Sequence, residues 1–275
     1  MKNKHRWYRK FVLDVDKETV KAAVANSMGH PEQYSVSSLT GPYVPDDTDA
    51  LNGKTLVFKG EDKTFTFNIA GPHDLKFSEN GGEEISCWSN VKTMDNEVFL
   101  VNFLVPGYEF SRQITLIADM KSGCATVDDA HFGTENSNID VDNDFIFGRL
   151  ESASGNFEGG ELHGFTNDLV GTAIEWDYGK LKVKHMYTSN VYYTYANSSK
   201  NGEWMATNPA DYVKIRDNIF LFVFVEERQH GLQGLFLIDT DKCHDIGVFY
   251  GVSGDHIMSS CIGAIGTPSE ITHIF

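Results

Sequence analysis

Four short blocks of sequence recur in this chain, in the same order, about 120 residues further on. Leu51-Asn52-Gly53-Lys54 returns as Leu169-Val170-Gly171-Thr172, and Asp95–Phe103 returns loosely as Asp217–Val225. Leu116–Lys121 returns as Leu237–Lys242, with Cys124 falling near Cys243, and His131-Phe132-Gly133 returns as Phe249-Tyr250-Gly251. Blocks that keep their register predict two copies of one unit, over 50–133 and 168–252. The stretch 134–167, rich in Asn, Asp, Ser and Gly, reads as the join.

Within the first copy, 54–59, 63–69, 74–78, 85–91, 97–105 and 113–119 read as strands broken by Gly, Asn, Asp or Lys. Several alternate apolar and polar residues, as half-buried antiparallel strands do. No amphipathic helices lie between them, which argues against a parallel sheet. One sheet of this size with an apolar face is not stable alone, so each copy must close into a small barrel or fold as two packed sheets. A closed up-and-down barrel of about eight strands encloses one small ligand. Ahead of the strands, Asp16–Met28 carries Val20, Ala23, Val24 and Met28 at helical spacing, which predicts one short helix. The expected class is therefore all-β: an N-terminal segment over 1–49, a first barrel with its linker over 50–167, and a second barrel over 168–275.

Charge removes several functions. Against 39 Asp and Glu there are 23 Lys and Arg, a net charge of −16. Neither a nucleic-acid backbone nor an anionic membrane surface suits such a chain. The longest apolar run, Ile219–Val225, is far short of the ~20 residues of a membrane helix. The basic opening Met1–Lys10 is followed by only Phe11-Val12-Leu13, too little for the core of a signal peptide, so a cytoplasmic location is expected. Cys87, Cys124, Cys243 and Cys261 are far apart and read as free thiols. The histidines do not cluster, and no phosphate-binding loop, GxSxG, HExxH or GxGxxG stands in a supporting context, so neither metal nor cofactor is expected. Asp140-Val141-Asp142-Asn143-Asp144, with Glu151 at the twelfth position, imitates a calcium loop, but Phe145 stands where glycine is needed. It reads as a solvated acidic linker.

The sharpest candidate site is Ile219–Glu227. With a period of two, Phe220, Phe222, Phe224 and Glu226 share one face, and Leu221, Val223, Val225 and Glu227 the other. The flat rings suit a ligand cavity and the compact side chains suit a wall packed on the other copy. Glu226, rather than Glu227, is then the acid in an apolar cavity, where desolvation raises a carboxyl pKa toward neutrality. Tyrosines are dense nearby: Tyr178 after Trp176-Asp177, Tyr187, and Tyr192, Tyr193 and Tyr195. A tyrosine in a barrel can hydrogen-bond a ligand while its ring packs apolar surface.

The second copy resembles the MoaF family of molybdenum cofactor biosynthesis F-like proteins. The resemblance is carried by Leu169-Val170-Gly171, Asn218–Glu226, Gly234–Asp239, Gly247–Gly251 and Gly263-Ala264, and covers roughly 50–266. It implies lipocalin-like barrels in both copies. More distantly the unit is similar to bacterial phenolic acid decarboxylases, cofactor-free barrels acting on 4-hydroxycinnamic acids. That likeness puts Trp176 and Tyr178 at the family's two strand tyrosines and Glu226 at its glutamate. Thr194 falls where an arginine should stand, which argues against a hydroxycinnamate decarboxylase.

Together these readings predict a cofactor-independent lyase or isomerase acting on a small aromatic or conjugated molecule. Glu226 is the expected general acid or base and Tyr178 its catalytic companion, with Trp176, Tyr193, Tyr195, Phe222 and Phe224 around the substrate. The rival reading is a non-catalytic carrier of a small hydrophobic ligand. Neither nucleic acid nor a membrane is an expected partner, and the sequence leaves a homodimer open.

Overall fold

The computed structural model describes residues 16–28, 42–132, 141–151, 155–197, 205–226 and 231–271. Among them, the single α-helix, α1 (Lys17–Ser27), begins where Asp16 accepts from the Thr19 amide at 2.8 Å and satisfies one of the free N–H groups of the first turn. Its buried face is Val20, Ala23, Val24 and Ser27, the 3.6-residue stripe read from the sequence.

Two nine-stranded antiparallel sheets make up the rest. The first holds β1 (Lys54–Gly60), β2 (Thr64–Gly71), β3 (Asp74–Glu79), β4 (Ile85–Cys87), β5 (Ser89–Thr93), β6 (Val98–Leu104), β7 (Arg112–Asp119), β8 (Cys124–His131) and β9 (Asp142–Leu150). Its order is β4-β3-β2-β1-β9-β8-β7-β6-β5. Strands β4 and β5 lie at the two ends of that order but are one chain segment bent at Trp88, whose ring stacks on His73 at 4.7 Å. The bend lets one segment pair with β3 before it and β6 after it, so the sheet curls into a barrel.

The second sheet holds β10 (Gly164–Phe165), β11 (Ala173–Asp177), β12 (Lys182–Met186), β13 (Tyr192–Asn197), β14 (Met205–Lys214), β15 (Ile219–Val225), β16 (Leu232–Asp239), β17 (His244–Ser253) and β18 (His256–Ser269). Apart from the short β10, it repeats the order of the first. Here the closure is complete: β14 pairs with β13 through its first half and with β15 through its second. Eight meandering strands joined by β11–β18 form the up-and-down barrel.

One segment differs from the sequence reading. Part of the supposed linker 134–167 is β9, which pairs with both β1 and β8 and closes the first barrel. Asp142 and Asp144 of the calcium-like motif are thus strand residues, and Glu151 follows the end of β9; residue 140 lies outside the described residues. Strand β18 lies past the end of the repeated blocks at 252 but within the expected second barrel, 168–275, which it closes. Where β1 meets β9, Gly148 faces Gly60, and a Cβ at Gly148 would lie 2.1 Å from the Lys59 carbonyl oxygen. No backbone can accept that approach. Gly148→Ala is therefore expected to cost at least about 2 kcal/mol, read as a lower urea midpoint with an unchanged slope.

Each barrel has its own core. The first is filled by Phe58, Phe65, Phe67, Phe77 and Phe103 with aliphatic neighbours. Between the barrels lies a third cluster, in which Val98, Leu100, Ile117 and Phe145 of the first meet Leu221, Val223, Leu235, Leu237 and Val248 of the second. Burial of each such side chain stabilises by about 1.5–3 kcal/mol, so the seam is a strong contact. Arg216 locks its edge, with Nε and Nη2 on the two Asp119 oxygens at 3.0 and 2.7 Å and Nη1 on Glu97 at 2.7 Å. The guanidinium and backbone donors hold Asp119 down at about 2 against its burial. Deeper in, Gln233 donates to Asp128 at 2.9 Å and Ser259 to Gln113 at 2.7 Å. Helix α1 spans the seam as well, because Val20, Ala23 and Val24 pack with Leu104 and Ala130 of the first barrel and with Tyr250 and Ile257 of the second.

Candidate functional site

The inside of the second barrel follows from strand parity. On β15, Phe220, Phe222 and Phe224 enter the barrel core while Leu221 and Val223 pack in the seam. Trp176 and Tyr178 come in from the β11 end, Tyr193 and Tyr195 from β13, and Tyr212 from β14. The rings interlock: Tyr193 stands edge-on to Phe222 at 4.7 Å, Tyr212 stacks on Phe222 at 5.6 Å, and Phe224 stacks on Phe236 at 5.9 Å. Aromatic pairs in these geometries contribute about 0.5–1.5 kcal/mol each beyond the area they bury.

Polar groups are set among these rings. Strand β12 turns Val183, His185 and Tyr187 inward, and the His185 imidazole lies 5.2 Å from the Tyr193 ring and 5.7 Å from that of Phe222. Burial alone holds this imidazole neutral, with a pKa down at about 3. The register across β18, where Asp177 and His244 both stand opposite Ile265, brings Tyr178 against Asp245 near the start of β17, and the phenol donates to Asp245 Oδ2 at 2.9 Å. Asp245 is 1% exposed. Desolvation pushes its carboxyl up to about 8, against the pull of the Tyr178 hydroxyl and the Ala264 amide, so it keeps its proton at pH 7. Burial, then the nearby Asp245 charge, drives the Tyr178 phenol well above its ordinary value, so it stays a donor.

Four interior polar atoms have no hydrogen-bond partner among the described residues: Trp176 Nε1, His185 Nδ1, Tyr187 Oη and Asp245 Oδ1. The Trp176 indole is close enough to Tyr187 to favour its phenolate slightly, against a larger opposing effect of burial, but the two do not reach hydrogen-bond geometry. Buried polar groups are ordinarily paired, and each left unpaired costs about 1–3 kcal/mol. Four of the nine such atoms among the described residues lie in this one barrel core.

At the end of the barrel where β15 stops, Glu226 continues the ladder by donating its amide to the Leu232 carbonyl at 2.9 Å. Its side chain is half-buried, and Asn208 Nδ2 lies 3.3 Å from both Glu226 Oε2 and the Tyr193 hydroxyl. A polar line thus runs from Glu226 through Asn208 to Tyr193, beside His185. At the opposite end a recess of about 760 Å³ opens, lined by Leu169, Ile174, Phe220, Thr240, Cys243 and Pro268 among others. Leu169, Ile174 and Phe220 also belong to the ring-filled core, so the recess abuts the barrel interior. Cys243 sits in the turn before β17, two residues ahead of Asp245.

Of the residues singled out from sequence, Trp176, Tyr178, Tyr193, Tyr195, Phe222 and Phe224 meet in one core, and Glu226 stands at its rim. Glu227 lies outside the described residues. Thr194 points to the outer face, where its hydroxyl meets that of Thr207 at 2.8 Å, so it does not occupy a place in the cavity. The carboxyl fully enclosed by apolar side chains is Asp245, which the sequence reading passed over together with His185 and Asn208. Period-two parity carries the signal for Asp245 and His185: each sits on the same face as an inward neighbour, Phe249 and Tyr187 respectively. Among the described residues no group of three or more His, Cys, Asp or Glu could hold a metal, and no helix is long and apolar enough to cross a membrane.

Comparison with known families bears on this half of the molecule. Residues 163–271 match the MoaF C-terminal domain. The match begins at β10 and ends just after β18, so the stretch similar to that domain is the second barrel with its edge strand, and it contains the whole polar line. A solved structure from Nostoc punctiforme PCC 73102, described as a protein with unknown function from the DUF3598 family, is similar over 79% of this chain and 94% of that one. Its identity is 13% and its TM-score 0.31. No curated protein matches the chain.

Proposed function

We propose that the second barrel is a cofactor-independent lyase or isomerase site for a small aromatic or conjugated molecule. The reading rests on one observation: inside one aromatic barrel core, three unpartnered polar atoms, Trp176 Nε1, His185 Nδ1 and Tyr187 Oη, accompany a buried carboxyl, Asp245, with an unpartnered oxygen of its own. Asp245, with Tyr178 as its hydrogen-bond donor, is the group that can give a proton to a substrate carbon at neutral pH, and Glu226 is the second acid–base group. Rings of Trp176, Tyr193, Phe222 and Phe224 would flank a flat conjugated substrate, with Tyr195 beside them. The recess near Phe220 and Cys243 favours a second reading, a carrier of a small hydrophobic ligand.

Incubating the protein in deuterium oxide with conjugated carboxylates and enones, 4-hydroxycinnamate among them, separates the two. An acid–base catalyst places solvent deuterium on a carbon of the substrate or product. The expected rate falls about 100-fold or more in Glu226→Gln and in Asp245→Asn, since a positioned acid or base contributes at least that factor. Saturable binding with no deuterium on any compound would instead make the barrel a carrier.

A further inference from the structure

The mouth of the first barrel has a polar set of its own. At the end formed by the loops after β1, β3, β6 and β8, the side chains of Lys63, Glu79, Arg112, Asp129 and Asp144 occupy the inward positions. Each continues the face of core residues on its own strand: Phe65, Phe77, Ile114, Val127 and Ile146. Above them opens a cavity of about 520 Å³, with Tyr108, Phe110 and Phe132 in its wall.

Hydrogen bonding decides what this cavity can accept. Every nitrogen of Arg112 is already engaged: Nε with Asp129 Oδ1 at 2.7 Å, Nη2 with Asp129 Oδ2 at 2.8 Å and Glu79 at 3.0 Å, and Nη1 with the Tyr108 hydroxyl. Lys63 lies between Asp129 at 3.0 Å and Glu79 at 3.5 Å. An anionic ligand would have to break these pairs to reach either cation. Asp144, directly across the β8–β9 ladder from Asp129, has no ion pair or hydrogen bond among the described residues. A fourth carboxylate of the lining, Glu109, is paired with Lys21 at 2.8 Å; the two cations Lys63 and Arg112 thus face the other three, and the surplus charge belongs to Asp144. The chain's net charge of −16 adds to the negative potential. Resident cations already lie over two of the neighbouring rings, Arg112 over Tyr108 at 5.2 Å and Lys21 over Phe110 at 5.4 Å, so these rings and Phe132 serve the apolar part of a ligand while Asp144 meets its charge.

We infer that the first-barrel mouth binds a small organic ammonium ion, with Asp144 as its counter-ion and the rings of Tyr108, Phe110 and Phe132 against its apolar part. This site is separate from the second barrel and does not depend on the reading given for it.

Benzylammonium, benzyl alcohol and benzoate share one ring and differ in charge, so ligand-observed NMR titration of the full chain with the three is the test. Benzylammonium is expected to bind with a Kd of about 1 mM, as suits so small a ligand, with benzyl alcohol at least about tenfold weaker and benzoate not binding. Asp144→Asn should weaken benzylammonium about tenfold. Its Tm should move by less than about 2 °C, because a half-exposed side chain without a partner among the described residues holds none of them in place. Glu226→Gln should leave the affinity unchanged. Benzoate binding as well as benzylammonium, an unaltered Kd in Asp144→Asn, or no benzylammonium binding at about 50 mM, some fifty times the expected Kd, would each overturn the assignment.

Discussion

Asparagine at position 245 is expected to make this protein more stable, and increasingly so as the pH rises from 4 to 8. In the folded chain the Asp245 carboxyl titrates at about 8, against 3.8 for an ordinary aspartate. Between those values the unfolded chain sheds a proton that the folded chain keeps. The unfolded state therefore binds fewer protons, and stability contributed by this site falls as pH rises through that window, then levels off above it. Every tenfold difference in proton affinity between the two states is worth about 1.4 kcal/mol, so at pH 8 Asp245→Asn should gain about 3–5 kcal/mol. For a chain of this size that raises Tm by roughly 6–15 °C. Below pH 4 the two proteins should melt alike. Melting curves at half-unit pH steps provide the check, and parallel curves at every pH would mean that Asp245 is ionised in the fold.

Phe222→Ala should have an effect of similar size and opposite sign. Phe222 is 0% exposed and touches the rings of Tyr187, Tyr193, Tyr212, Phe224 and Phe236. Its removal leaves a void that the surrounding rings, held by their own strands, cannot fill. The loss of transfer energy and the cavity together cost about 3–5 kcal/mol. Leu162→Ala, at a side chain 49% exposed, should change stability by less than ~0.5 kcal/mol. Urea midpoints for the two variants measure this. A loss under ~1 kcal/mol for Phe222→Ala would mean that the barrel core is loosely packed, contrary to the interlocked rings.

How much of the fold and site can be read from sequence depends on which face each residue turns inward. Strands such as Lys54–Gly60, Asp74–Glu79 and Val98–Leu104 show an apolar pattern and end at turn residues, and the structure has them within a residue or two of where periodicity places them. Parity on β15 is readable because Phe alternates with Leu and Val. Strand β9 is not: Asp142, Asn143 and Asp144 open it, and its outer face is buried in the seam through Phe145, so polar-out alternation is lost. Asp245 and His185 escape notice for a related reason. A polar residue on an inward face contradicts the rule by which strands are recognised, and only the closed barrel shows that both are enclosed. Glu226 is conspicuous because it ends an apolar run, yet Asp245, with no such run before it, is the deeper carboxyl. The ion-paired mouth of the first barrel is also out of reach, since Lys63, Glu79, Arg112, Asp129 and Asp144 meet only through β-ladder register.

The central claim is that the second barrel keeps a protonated carboxyl among aromatic rings at neutral pH, the feature on which the proposed proton transfer rests. Carbon-13 NMR of aspartate-labelled protein, with the Asp245 signal assigned by its loss in Asp245→Asn, follows that proton directly. The account predicts a Cγ titration with a midpoint near 8. A midpoint near 4, the ordinary range of a solvated aspartate, would contradict it.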